Sequence, residues 1–497
     1  MKRLKLRSQK IIGLVLLVSL PAIATTQPGK YPFHREAYFL DTGRHNGLPD
    51  SAATSSPVFS GLISIPGAAW LRLHFGDNHL DSLSYILITS LNDGARQRLD
   101  AVSLKQWRGN SAFFNGDGLE LELYAAPGDS GVFLELHEVL VGERVRVSTL
   151  GKVMDLCGAD DRDTSSYAAV GRLIYEELGD TIAFATGWIA ANGVHISAGH
   201  CLFVERDTYV LEFNVPLSNS SGQARFAHPN DQYPINWASV EEKHAPMPGD
   251  DWALFECEPN SNTGLLPVQA QQAFYRVKLG TPSGDTRLTG YGEDSNPPEW
   301  NKTQQTSTGD FVREQQEGCS YCITLDYVVD EENGCSGGPV TDTYDGLAIG
   351  LHHDGFCLKS RAANIGTSFK NDSLEKALND YPGTNVTYLD KDHPVLSQDE
   401  DGTIYRPFDT VQEAVNDVGA GGIVSIVKGY YNETPTITKA MTITAPVGMV
   451  TIGASGMGKV RGEIPMVAVS TSTDADSANS LAPIEYALSP NYPTPFN

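Results

Sequence analysis

A histidine, an aspartate and a serine stand in that order in the middle of the chain, each inside a short motif. Ser197-Ala198-Gly199-His200-Cys201 follows the strand-like run GVHI. Asp250-Asp251-Trp252-Ala253-Leu254 comes next, and Gly334-Cys335-Ser336-Gly337-Gly338-Pro339-Val340 comes last. A serine hydroxyl is a weak nucleophile at neutral pH until a neighbouring base takes its proton. A histidine does this when a carboxylate fixes its tautomer and stabilises the imidazolium. Alone, each motif is weak: a histidine before a cysteine is usually structural, and a glycine-rich turn is common. Together and in order they describe one chemistry, a serine nucleophile whose proton passes to a histidine oriented by a carboxylate.

Between about residues 155 and 380 these motifs resemble the chymotrypsin-like (trypsin-like) serine endopeptidases, whose triad also runs His, Asp, Ser. The resemblance implies an all-β, chymotrypsin-like double β-barrel. It implies His200 as general base, Asp251 as its carboxylate and Ser336 as nucleophile. Asp251 rather than Asp250 fits the family pattern Asp-x-Ala-Leu. The backbone N–H groups of Gly334 and Ser336 match the oxyanion hole, and glycine permits the turn this needs. The LCGADDR start at 156–162 and the GLHH run at 350–353 bring the unit closer to bacterial glutamyl and lysyl endopeptidases. In lysyl endopeptidases a disulfide ties the start of the domain to the strand near the pocket, and Cys157–Cys357 is the matching pair.

Three departures accompany the resemblance. Cys335 stands where the digestive enzymes carry an aspartate that pairs with a newly freed N-terminal amine, so that activation switch is expected to be absent. Ala169-Val170-Gly171 resembles the usual mature start without needing to be cut. Cys201 lacks its usual upstream partner, because the matching strand reads Phe184-Ala185-Thr186-Gly187. Cys319 and Cys322 suit either a local disulfide or a metal, although one Cys-x2-Cys pair is weak evidence for zinc. Two residues compete for the substrate pocket. Asp330 matches the pocket base where a carboxylate favours Arg or Lys. His352 matches a pocket histidine of glutamyl endopeptidases, which favours acidic residues, and lysyl enzymes carry a histidine there too. Asp330 is followed by Glu331 and Glu332, so it equally reads as one charge of a solvated loop. The balance leans to basic residues.

The elements that must position these groups sit in a chain of 497 residues, a length that suggests about three domains at ~150 residues each. Hydrophobic residues at 40% and charged residues at 20% fit a globular chain. A net charge of −25 argues against a nucleic-acid partner, since duplexes are bound by basic patches. Lys2, Arg3, Lys5, Arg7 and Lys10 precede the apolar run IIGLVLLVSL, Pro21 and the small residues Ala22 and Ala24. Residues 1–24 therefore read as a signal peptide, and the mature protein as secreted or at the cell surface. All seven cysteines lie between 157 and 357, and an odd count leaves at least one unpaired within the chain.

Residues 25–150 read as an N-terminal β-rich accessory domain. Its first part, 25–60, looks irregular, and the rest is sandwich-like, with period-two runs such as LELELY. Residues 151–382 hold the protease-like unit, including a helix near 371–378 with a polar N-cap. Residues 383–397 read as a linker. In 398–470 a helix-like TVQEAV precedes short rungs (IVSIVKG, TPTITK, MTITAP, MVTIGA) that resemble the first turns of a parallel β-helix of the pectate-lyase type. Residues 471–497 read as a linker ending in NYPTPFN, which resembles the start of a type IX secretion sorting domain. The expected function is a secreted serine endopeptidase acting on proteins or peptides without a cofactor or catalytic metal. The alternative is a catalytically weak homologue used as a cell-surface adhesive or glycan-binding module. Secretion machinery at the tail and polysaccharide at 398–460 are the further partners expected.

Overall fold

The computed structural model describes residues 29–49, 54–81, 83–144, 156–177, 181–202, 209–244, 248–294, 296–357, 361–453 and 486–488. The expected signal peptide, residues 1–24, and the NYPTPFN motif lie outside these residues.

The fold is all-β. Strands Val170–Glu177, Val210–Glu212, Gln232–His244, Asp251–Cys257, His195–Ser197 and Thr181–Ile189 pair in that order, and the last pairs back on the first. This closes a six-strand barrel. Thr181–Ile189 is buried at all but its first residue, so it reads as a continuous apolar run rather than an alternating one. A second, open sheet of eight strands includes Thr286–Gly290, Pro339–Asp342, Ala348–Asp354 and Asn364–Ser368. The Gly334–Val340 motif leads into Pro339–Asp342.

The N-terminal unit is joined to the barrel more closely than its composition suggests. The stretch expected to be irregular contains a 13-residue strand, Gly29–Asp41. Its first four residues pair antiparallel with Thr181–Phe184 of the barrel, and the rest pairs with Phe133–Gly142. Tyr31 and Phe33 are buried by this register and make the strand worth forming despite its charged neighbours. The sandwich-like layout is present: Ser56–Ser64, Gly118–Ala125, Tyr85–Ser90 and Arg96–Asp100 form the facing sheet, with alternating burial. Ile174, Ile182, Phe184, Val210 and Phe226 of the barrel share one apolar core with Trp70, Phe113 and Leu140.

The C-terminal unit is likewise docked. Val386–Leu389, Ile423–Ile426 and Thr442–Thr444 form a parallel sheet, as rungs should, and Gly429–Tyr431 pairs parallel with Val450–Ile452. Two expectations change here. The stretch 383–397 is not a spacer, because it supplies the first rung, with Leu389 buried and Asp390 in a two-pronged ion pair with Arg276 (2.6 and 2.9 Å). TPTITK forms no strand. Pro435 has no N–H to give a ladder. Glu433 instead accepts the N–H groups of Val411 and Gln412 at the start of helix Val411–Asp417, and Thr436 N donates to Gln412 Oε1. The expected helix near 371–378 is present as Asp372–Asn379, with the Asn371 side chain accepting from Ser373 N and Leu374 N.

Candidate active site

His200 sits on a single 3-10 turn, Gly199–Cys201, directly after strand His195–Ser197. The turn lies against the neighbouring hairpin so tightly that a Cβ on Gly199 would stand 1.9 Å from the Lys243 carbonyl oxygen. Asp251 opens the strand that pairs with both His195–Ser197 and Gln232–His244, and it faces His244 in that ladder. Regular antiparallel pairing therefore delivers Asp251 to His200.

Asp251 is fully buried and holds His200 at two points. Oδ2 accepts from the imidazole Nδ1 at 2.6 Å, and Oδ1 accepts from the His200 backbone N–H at 2.7 Å. Two further imidazoles face the same carboxylate: His353 Nε2 lies 3.3 Å from Oδ2, and His244 Nδ1 lies 3.6 Å from Oδ1. Burial alone raises the Asp251 pKa, but the charges of His200 and His353 and the bonds from His200 and His244 hold it well below the usual carboxylate range. For His200, burial disfavours the imidazolium while Cys201 and Asp251 favour it, and the net pKa is well above 6.5. His353 shifts the other way. Its burial outweighs the pull of Asp251, and the net shift of its pKa is downward. His200 Nε2 is buried and makes no hydrogen bond among the described residues, which leaves it open to accept a proton. Asp250 is used elsewhere, accepting from Asn371 Nδ2 (3.0 Å) and Ser373 Oγ (3.3 Å) at the helix start. The donor atoms of His200, Asp251 and His353 are close enough to share a metal ion.

Ser336 is 4% exposed, in the loop that leads into Pro339–Asp342. Gly334 has φ +114°, and a Cβ there would stand 2.2 Å from the Tyr291 carbonyl oxygen. Gly337 has φ +86°, and a Cβ there would meet the Thr186 carbonyl oxygen at 2.3 Å and the Ala198 nitrogen at 2.8 Å. The second contact seats the nucleophile loop on the segment that carries His200. Thr186 N donates to Ser336 O (2.9 Å), Thr186 Oγ1 donates to Gly334 O (2.8 Å), and Trp188 Nε1 donates to Gly337 O (3.0 Å). Among the described residues neither the Gly334 nor the Ser336 amide donates a hydrogen bond within the chain. Two neighbouring backbone N–H groups of this loop are thus left without a partner within the described chain.

The structure separates the two pocket candidates. Asp330 accepts from the backbone N–H groups of Cys157 (2.7 Å) and Asp161 (2.8 Å), so its carboxylate anchors the start of the unit. It is not one charge of a solvated loop, being 5% exposed. His352 is bonded through its backbone to the nucleophile loop, its N–H to Gly338 O and its carbonyl to Gly337 N. Its ring Nδ1 lies 2.6 Å from the Tyr327 hydroxyl, and Nε2 lies 3.3 Å from Glu331 Oε2. Cys157 is bonded to Cys357, and Cys319 to Cys322, so the Cys-x2-Cys pair closes locally. Cys201, Cys257 and Cys335 are buried free thiols. Sequence reasoning missed the roles of His244 and His353 beside Asp251. Only the doublet His352-His353 hinted at the second.

No family model matches the chain. A curated relative, Secreted RxLR effector protein 73 of Plasmopara viticola, is 24% identical over 368 residues, which is 65% of this chain and 84% of that protein. Among solved structures, a Glu endopeptidase in complex with MPD is 16% identical, with 46% of this chain and 98% of that chain covered at a TM-score of 0.34. A scabies mite inactivated protease paralogue is 13% identical (43% and 96% covered, TM-score 0.32). The protease Anisep of Arthrobacter nicotinovorans is 15% identical (42% and 93% covered, TM-score 0.32).

Proposed function

We propose that the chain is a secreted serine endopeptidase that hydrolyses peptide bonds through an acyl-enzyme on Ser336. The observation that carries this reading is the buried Asp251–His200 pair, at 2.6 Å, with Nε2 unbonded and the Ser336 loop seated beside it. Ser336 Oγ attacks the scissile carbonyl carbon while its proton passes to His200 Nε2. The negative oxygen that forms is held by the Gly334 and Ser336 amides. His200 then protonates the leaving amine as the C–N bond breaks, and water repeats the sequence in reverse to release the acid.

For the residue before the cut, the preference for basic side chains rests on Glu331 rather than Asp330. Glu331 is 2% exposed and places its carboxylate beside His352, whereas both oxygens of Asp330 are committed to backbone amides. Two disulfides fit an oxidising compartment, and among the described residues no helix is long and apolar enough to cross a membrane. A disulfide at Cys335 that distorted the oxyanion loop would favour the weak-homologue reading. Cys335 is a free, buried thiol whose pKa burial pushes up to about 12, so that support falls away. Sorting through 471–497 and polysaccharide contact through 398–460 are secondary parts of the proposal.

The test is a fluorophosphonate probe on the purified chain, with the adduct located by peptide mass spectrometry and Ser336→Ala as control. Labelling confined to Ser336 supports the reading. A folded chain that neither labels nor cleaves peptides, before or after limited proteolysis, overturns it.

A further inference from the structure

A buried lysine faces the back of the oxyanion loop, and the catalytic steps above make no use of it. Lys302 is 0% exposed. Its backbone is fixed at φ +56°, its N–H donates to Gly292 O (2.9 Å), and its carbonyl accepts from Arg172 Nη1 (2.6 Å). Its ammonium donates to the Asn333 carbonyl oxygen at 2.5 Å and lies 3.5 Å from Glu293 Oε1. Glu293 N donates to the same Asn333 oxygen at 3.1 Å. Burial lowers the lysine's pKa, while Glu293, Cys335 and Glu332 work to keep the charge. A desolvated cation is costly unless paired and hydrogen-bonded, so a fully buried lysine at this place calls for a role.

The peptide bond supplies one. In a planar trans peptide the C=O and the following N–H point in opposite directions. Asn333 O and Gly334 N–H belong to the same peptide. Holding Asn333 O inward on Lys302 therefore turns the Gly334 N–H outward, toward the site where the oxyanion forms. Rotation of that peptide would be open to glycine and would remove one of the two donors. Cys335, next in the chain, offers no carboxylate for a freed N-terminal amine to grip.

We propose that Lys302 is a positioning residue that locks the Asn333–Gly334 peptide and so completes the oxyanion hole from within the folded chain, without a cut before Ala169. This inference rests on the serine endopeptidase reading. Lys302→Met keeps the length of the side chain and removes the donor and charge. Loss of one oxyanion donor costs about 10²–10³ in kcat. Partial flipping in Lys302→Met is expected to lower kcat and kcat/KM together by about 10–100-fold, with KM nearly unchanged. Affinity for a peptide boronate, which forms the tetrahedral adduct, should fall by the same factor. Affinity for a non-covalent product peptide should stay as in the wild type, which a merely structural role would not separate. Equal losses for both ligands, or no loss for either, overturn the proposal. Wild-type labelling at Ser336 with an unaltered Lys302→Met enzyme sinks this inference alone, whereas no labelling of wild type sinks the parent reading. If Lys302→Met does not fold, the crystal structure of the wild-type boronate adduct, with the bond before Ala169 intact, decides. Asn333 O on Lys302 Nζ with Gly334 N–H on the boronate oxygen supports the lock, and the reverse orientation refutes it.

Discussion

The base side and the nucleophile side of the site are built by different physics. His200 sits on the turn after one strand of a closed barrel and Asp251 opens the adjacent strand, so a regular ladder and an apolar interior place them. Ser336 comes from a loop on an open sheet, held by isolated contacts: Thr186 on two of its carbonyls (one through its backbone N–H, one through its hydroxyl), Trp188 on a third, Lys302 on a fourth, and the His352 backbone on Gly337 and Gly338. Placement by a ladder is distributed over many bonds and tolerates single changes. Placement by individual polar contacts does not, because each one removed leaves a buried group unsatisfied.

The largest effects should come from the reacting groups on either side. Asp251→Asn is expected to lower kcat by about 10⁴-fold with the fold intact, since the ladder rather than the carboxylate shapes that side. Loss of the fold in this variant would break the contrast drawn above. On the loop side, Gly334→Ala forces a side chain onto the Tyr291 carbonyl at positive φ. It should lose both activity and thermal stability, read by peptide hydrolysis and by melting.

The pocket gives a smaller, sharper comparison. Glu331→Gln should cut kcat/KM for substrates with Lys or Arg before the cut by about 10–100-fold, the worth of a charge-assisted bond. It should change cleavage after neutral residues far less. Asp330→Asn should lower the melting temperature and leave that preference in place, because its partners are the amides of Cys157 and Asp161. A specificity change in Asp330→Asn would return the pocket to Asp330.

The pH profile tests the base side alone. General-base catalysis needs neutral His200, and its pKa in the folded chain is raised above 6.5. Activity should therefore be lost as pH falls through a midpoint above 6.5, and Asp251→Asn should move that midpoint down. The smallest effect is expected at the helix beside Asp250, where Asn371→Ala removes a cap worth about 1 kcal/mol. A proportionate drop in melting temperature without a change in kcat would show that this corner is scaffold.

Much of this site is legible in the chain itself. Motif order and residue type alone single out His200, Asp251 and Ser336, because acyl transfer to serine needs those groups whatever the fold. Short apolar runs such as WALFEC and LAIGLHH mark strands that the structure places at Asp251–Cys257 and Ala348–Asp354. Glycine between polar neighbours marks the turn at Gly334. Other features have no local signature. The strand at Gly29–Asp41 takes its pairing from segments far along the chain, Phe133–Gly142 and Thr181–Phe184, so its charged sequence reads as irregular. The roles of Asp330 and Glu331 are set by which carboxylate meets a backbone amide and which meets His352. Neighbouring acidic residues look alike until a register points them apart. Lys302 and His353 acquire meaning only through what tertiary packing puts within 3.5 Å of them. The sequence by itself determined which residue types are on hand for chemistry, since reactivity belongs to residue types. Only the tertiary structure decided which carboxylate meets backbone amides, which meets His352 and which cation meets the Asn333 carbonyl, because burial and distance set those energies.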